Sequence, residues 1–361
     1  MKRALQTLTY LHTFTGYPAD GSSPYGALIN VNGTLYGTTF GGGYPEAGTV
    51  YSVTASGSYA PLYSFQGDPD GAQPYAGLAN LNGTLYGTTS YGGSSNGGAV
   101  YSMTTGGAEN VIQNFYAGSF GQNPSAGLLV AGTKLYGTAS SGGVYNTGAA
   151  FSITTSGVET VLHSFGGPGD GTKPTSPLIA IGSNLYGTTQ TGGSNNQGTV
   201  YEIAKASGHE TVLHSFGGYY DGGDPLYGRL VNVNGTLYGT TRGGGTTGSG
   251  TIYSISPTSS GSYAAVYSFQ GGPDGCNPVA GLVAYNGLLY GTASRCGTYG
   301  RGTIFAFDPT SNALTPIWAF GGSPGGATPA ADLIVVHGTF YGTTNAGGPF
   351  NDGTVFSFVS N

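Results

Sequence analysis

Apolar residues fall in short runs separated by Gly, Asn, Asp and Pro. No stretch of about 10 to 12 residues carries them at helical spacing. Residues 77–115 show the pattern well. Gly77 to Leu81 is a short apolar strand, and Asn82-Gly83 supplies the positive-φ pair that a tight type I′ hairpin needs. Thr84 to Ser90 is a second strand, residues 91–96 a loop, and Ala99 to Thr104 a third strand. Gly106-Gly107 follows as a turn, and Asn110 to Phe115 forms a fourth strand.

This unit recurs along the chain. Leu-Tyr-Gly-Thr-Thr or a close variant begins at Leu35, Leu85, Leu135, Leu185, Leu237, Leu289 and Phe340, in steps of 50, 50, 50, 52, 52 and 51 residues. Each period also holds a strand like Gly48-Thr49-Val50-Tyr51-Ser52, a Ser-Phe pair like Ser64-Phe65, and a Gly with Pro three residues later, as Gly71 and Pro74. Four antiparallel strands repeating every 40 to 50 residues or so describe a propeller blade. The chain opens on a fourth-type strand, Leu5 to Phe14, and ends on a third-type strand, Gly353 to Ser360. A ring explains this, because the first strand then completes the last blade and removes an exposed edge. The expected fold is an all-β, seven-bladed propeller forming one domain over 1–361, closed by one N-terminal and three C-terminal strands.

The repeat marks resemble the GloVer tandem-repeat family of bacterial exported proteins, over nearly the whole chain. The resemblance implies a propeller-like, secreted or cell-surface protein. It implies no defining activity, and no catalytic residue carries over.

Composition narrows the partners. Only 7% of residues are charged, the net charge is −6 and no basic patch is visible, so a nucleic-acid partner is not expected. No apolar stretch reaches the roughly 18 residues of a membrane span. MKRALQTLTYLHTF begins basic but lacks the apolar centre of a signal peptide and reads as strand. Neither cofactor nor metal is expected. His12, His163 and His214 repeat at one outer-strand position and lie too far apart to share an ion. Loop Asp residues such as Asp20, Asp70, Asp170, Asp221 and Asp274, replaced by Phe120 and Gly325, read as turn formers. Cys276 and Cys296 lie in loops on one face of one blade and are expected to form a disulfide, which points to an oxidising compartment.

In a propeller the first strand lines the axis, and the fourth-to-first and second-to-third loops share one face. These are the long loops here, so a site is expected on that face around the channel. Specific function belongs where the repeat breaks. Arg229 and Asp332 stand where other blades have Gly, Ala or Pro. Arg242, Arg295 and Arg301 lie in loops of adjacent blades, and Tyr25, Tyr75 and Tyr227 are expected to ring the mouth. The motif tyrosines, such as Tyr36 and Tyr86, are expected to pack between blades. No catalytic constellation is legible: the only central carboxylates outside the turns are Asp332, Asp224 and Glu46. The expectation is a monomeric, non-catalytic module that binds carbohydrate or a cell-surface protein. A polysaccharide hydrolase or lyase and a ligand-free scaffold are the alternatives.

Overall fold

A computed structural model describes residues 7–116, 121–258 and 262–360. Leu5, Gln6 and Phe120, named above, lie outside them. Seven four-stranded antiparallel sheets form the blades of a ring. In the first blade the strands are Ile29–Val31, Thr34–Thr39, Thr49–Thr54 and Tyr59–Ser64, from the axis outward. No α-helix occurs among the described residues; one 3-10 turn spans Tyr219–Asp221. The last sheet joins Ile334–Val336, Thr339–Thr344 and Thr354–Val359 to the N-terminal strand Thr9–Thr13. Every third-to-fourth strand pair carries a bulge at one equivalent place. The closing pair repeats it between Tyr10 and His12. The N-terminal strand is therefore a true fourth strand in register, and ring closure follows the sequence reading.

The core lies between blades. Phe14, Leu28, Leu35, Tyr51, Val53, Tyr341 and Val355 form one buried cluster drawn from the last blade and the first. Fully burying one such Phe or Leu contributes about 1.5–3 kcal/mol. The motif tyrosines are buried as expected: Tyr36 is 7% exposed and Tyr290 3%. The Gly of Leu-Tyr-Gly-Thr-Thr has a packing cause. The third-strand ring lies on it, so a Cβ at Gly37 would sit 2.5 Å from the Tyr51 hydroxyl, and one at Gly137 would sit 2.7 Å from the tip of Phe151.

The threonine after that Gly links blades. Thr38 donates to the Ala76 carbonyl of the next blade at 2.8 Å, and Thr240 does the same to Ala280 at 2.8 Å. Thr343 donates to Pro24 at 3.1 Å, so the same bond closes the ring.

Candidate functional site

On the long-loop face, the loop entering each blade pairs with the loop after its second strand. Four blades form two-residue ladders here, such as Gly21–Ser22 with Gly41–Gly42, and the other three form single bridges, such as Ala72 with Tyr91. In the sixth blade Cys276 pairs with Arg295, and the Cys276–Cys296 disulfide sits beside that bridge with a Cα separation of 5.3 Å. Cys296 has φ +58°, in a slot where the other blades place glycines such as Gly42 at φ +76°. The covalent bond holds a side chain in backbone geometry that otherwise favours glycine.

The three mouth tyrosines do not ring the axis; they converge over it. Tyr25 stacks on Tyr75 with centroids 4.5 Å apart, and Tyr75 meets Tyr227 of the fifth blade at 4.5 Å. The cause is one extra residue in that blade. Pro225 is followed by Leu226 and Tyr227 before Gly228, whereas Tyr25 directly follows Pro24 and directly precedes Gly26. Tyr227 takes the strained φ of +24° that the insertion requires. Burial raises the pKa of Tyr75, and the neighbouring Tyr227 and Tyr25 add to the rise. The ring positions equivalent to Tyr25 in other blades are Ser125, Thr175, Val279 and Ala330, small enough to leave room for the stack.

Below the stack, an axial cavity of about 520 Å³ runs along the first strands to His337 in the hairpin of the last blade. Arg229 and Asp332 line it from the fifth and seventh blades, with Arg229 Nε 3.9 Å from Asp332 Oδ2. Asp332 also accepts the Gly281 N–H at 2.5 Å. Burial raises the Asp332 pKa, opposed by the Arg229 charge and by that backbone bond.

Beside the stack, on the long-loop face, lies a cleft of about 660 Å³. It is lined by Tyr25, Tyr75 and Tyr227, by the Arg242–Asp224 pair (2.6 Å), and by Arg295 and Asn345. Asp224 Oδ1 and Asn345 Oδ1 are buried acceptors with no hydrogen-bond partner among the described residues. Arg301 does not line this cleft; its side chain lies over Gly322 of the following loop.

The cleft belongs to a larger pattern that motif reading passes over. Two slots per blade face each other across the paired loops: Ser23/Phe40, Gln73/Ser90, Asn123/Ser140, Lys173/Gln190, Asp224/Arg242, Asn277/Ser294 and Thr328/Asn345. In every blade the second residue's N–H donates to the first residue's carbonyl, at 2.9–3.2 Å. The first residue has positive φ throughout, and its own N–H donates to the preceding blade's loop, as Gln73 to Ala47 and Asn277 to Ser249. The backbone is thus fixed sevenfold while the side chains differ from blade to blade. Asn345 is one of these. Its signal in the sequence is variation at a fixed distance after Leu-Tyr-Gly-Thr-Thr.

The loop aspartates do form turns, and they also tie outer strands together between blades. Asp20 accepts from the N–H groups of Thr15 and Gly21 and from the Tyr59 hydroxyl, and it bonds His12 at 3.0 Å. Burial would raise its pKa, but the bonds from His12, Tyr59 and Thr15 outweigh that and hold the carboxyl below its usual range. Asp170 bonds His163 at 2.8 Å and Asp221 bonds His214 at 3.1 Å. Where Gly325 replaces the aspartate, the Tyr10 hydroxyl reaches the Gly326 N–H at 3.0 Å in its stead.

Solved propellers share this architecture. The extracellular domain of a candidate hybrid two-component system from Bacteroides thetaiotaomicron superimposes with TM-score 0.62 at 11% identity, covering 97% of this chain and 39% of that one. Oligogalacturonate lyase from Vibrio parahaemolyticus gives 0.58 at 8% identity, covering 100% and 95%. A candidate 6-phosphogluconolactonase from Bacteroides fragilis gives 0.56 at 16% identity, covering 92% and 98%. At these identities the likeness establishes the fold alone. No curated protein matches the chain. The Gloeobacter/Verrucomicrobia repeat matches residues 1–183, 80–275 and 173–361, and the chain belongs to that repeat family.

Proposed function

We propose that the protein is a non-catalytic binding module that holds a hydroxyl-rich ligand, a glycan, on its long-loop face beside the tyrosine stack. The observation that carries this reading is the double ring of slots, whose side chains change from blade to blade on a backbone that does not. A scaffold alone has no use for that variation, whereas recognition of an asymmetric ligand requires it. The slots supply amides, hydroxyls, one Lys and one Arg–Asp pair, and the unpartnered oxygens of Asp224 and Asn345 call for hydroxyl donors. The half-buried tyrosines lining the cleft supply apolar ring surface for a sugar to pack on. The disulfide suits a secreted or cell-surface setting, and a ring that leaves only the short outer strands of its blades as edges suits a monomer.

A glycan array tests this with the wild type and the variants Tyr75→Ala and Arg242→Ala/Asn345→Ala. The expected result is binding of a defined glycan class by the wild type and its loss in both variants. If no glycan binds, or if the variants bind as well, the reading fails.

A further inference from the structure

At the outer rim Asp20, Asp70, Asp170 and Asp221 are each flanked by two fourth-strand residues, one from the blade before and one from the blade after. At Asp20 these are His12 and Tyr59, and at Asp221 they are His214 and Tyr263. Both clusters are closed. The tyrosine ring stacks on the imidazole at 3.6 and 3.7 Å, and its hydroxyl donates to the Asp20 carboxylate in the first cluster and to the Asp221 backbone carbonyl in the second. At Asp170 the slot that holds Tyr59 or Tyr263 elsewhere is Glu210. The imidazole of His163 thus loses its stacking partner and faces two carboxylates instead of one.

We infer that His163, Asp170 and Glu210 form a site for one divalent transition ion of the zinc class, stapling the third blade to the fourth. One ligand atom from each residue lies within 4.8 Å of the other two. Glu210 Oε1 is buried without a hydrogen-bond partner, and among the described residues no Lys or Arg pairs with either carboxylate. Two acidic groups and a neutral imidazole supply three donors of the type zinc takes, and a water completes four-coordination. Ligands about 2.0–2.2 Å from a tetrahedral ion stand roughly 3.3–3.6 Å apart. His163 Nε2 and Asp170 Oδ2, at 2.8 Å, need only a small separation to admit it. The His163 side chain is 22% exposed, so the ion has a path from solvent. The other glutamate junctions lack an imidazole: Glu109 faces Tyr63, and Glu159 takes a hydrogen bond from the Gln113 amide. The reading of the histidines as too far apart to share an ion holds for three histidines. The ligands here are one histidine, its own loop aspartate and a glutamate from the next blade.

Isothermal titration of the chelator-treated full chain with Zn²⁺ tests this, with Co²⁺ as the spectroscopic probe. The expected result is one equivalent bound, visible Co²⁺ bands of tetrahedral intensity, and affinity reduced at least ~10-fold in Glu210→Gln and His163→Gln. Glu210→Tyr, which rebuilds the closed cluster that the chain already folds around at Asp20 and Asp221, should also abolish binding. His214→Gln and His209→Gln should bind as the wild type does. The site is refuted if no stoichiometric Zn²⁺ binds, if Glu210→Tyr and His163→Gln keep the affinity, or if His209→Gln removes it.

Discussion

Four third-strand tyrosines carry hydroxyls that the fold does not use. The oxygens of Tyr51, Tyr101, Tyr201 and Tyr253 are buried and have no hydrogen-bond partner among the described residues. The same slot is Phe151, Phe305 and Phe356 in three other blades, with the ring in the same place over the motif glycine. Replacing each tyrosine by phenylalanine removes an unsatisfied donor, whose burial costs about 1–3 kcal/mol. The space vacated is one oxygen wide, and its lost contacts subtract some of that gain, leaving about 1 kcal/mol per site. The edge-to-face contacts of the rings, Tyr51 on Phe14 at 5.1 Å and Tyr253 on Phe216 at 5.2 Å, survive the change. The four tyrosines belong to four different core clusters, so their effects should nearly add and the quadruple variant should gain about 4 kcal/mol. Guanidinium unfolding followed by tryptophan and tyrosine fluorescence reads this as higher midpoints at unchanged m-value. Phe151→Tyr is the reverse test and should lower the midpoint. A loss of stability in Tyr51→Phe would mean that the hydroxyl has a partner, such as an enclosed water, and would overturn the argument.

Other expectations follow from single features. Cys276 and Cys296 are 20 residues apart, so opening the disulfide should cost about 3 kcal/mol on the loop-entropy argument, read as a lower unfolding midpoint with reductant present. Deleting residues 1–13 should expose the Thr354–Val359 edge and raise the mass by light scattering above that of the full chain; an unchanged mass would refute this. Burial raises Glu159 from 4.5 to about 7, although Gln113 donates to it. A folded pKa above the unfolded one means the folded state binds the extra proton. Stability is therefore greatest below about 4.5, falls as pH rises toward 7 and stays flat beyond. Full desolvation would make this about 3 kcal/mol, and partial exposure reduces it to about 1–2 kcal/mol. Glu159→Gln should match the wild type near pH 4 and exceed it at pH 8 in equilibrium unfolding.

The fold was legible because each blade is written in local signals: Asn-Gly hairpins, strands of fixed length and a glycine demanded by the ring above it. The disulfide was legible because a hairpin returns the chain to where it began. The mouth was only partly legible. Arg229, Asp332, Arg242, Arg295 and the tyrosines stood out as breaks in the repeat, and all of them line the axial cavity or its neighbouring cleft, whereas Arg301 does not. The tyrosine stack was hidden because a single inserted residue redirects Tyr227 across the axis, and spacing alone does not show where an insertion points. Glu210 was hidden for another reason. Its partners come from the preceding blade, and which fourth-strand residue meets which loop depends on the bulge in the outer pair.

The separation of scaffold from recognition is itself testable within one blade. At the variable slots the backbone bonds are identical in all seven blades; Asn123 and Asn277 add side-chain bonds to the Ser90 and Arg242 carbonyls of the preceding blade, at 2.9 and 3.0 Å, whereas the glutamine slots rely on the backbone alone. Gln73 and Gln190 make no side-chain hydrogen bond within the described structure beyond their fixed backbone pairs, Ser90 to Gln73 and Gln190 to Lys173. Gln73→Asn and Gln190→Ser should therefore move the unfolding midpoint by no more than about 0.5 kcal/mol, as ordinary surface changes do. Thr240 lies two residues before the slot of Arg242 and does the opposite work. It is buried, and its hydroxyl donates to Ala280 across the blade junction at 2.8 Å. Thr240→Val keeps the shape and leaves that carbonyl without its donor, at a cost of about 1–3 kcal/mol. Equilibrium unfolding of the three variants decides the matter. If the glutamine variants lose as much stability as Thr240→Val, the slots are structural, and their variation from blade to blade carries no information about a ligand.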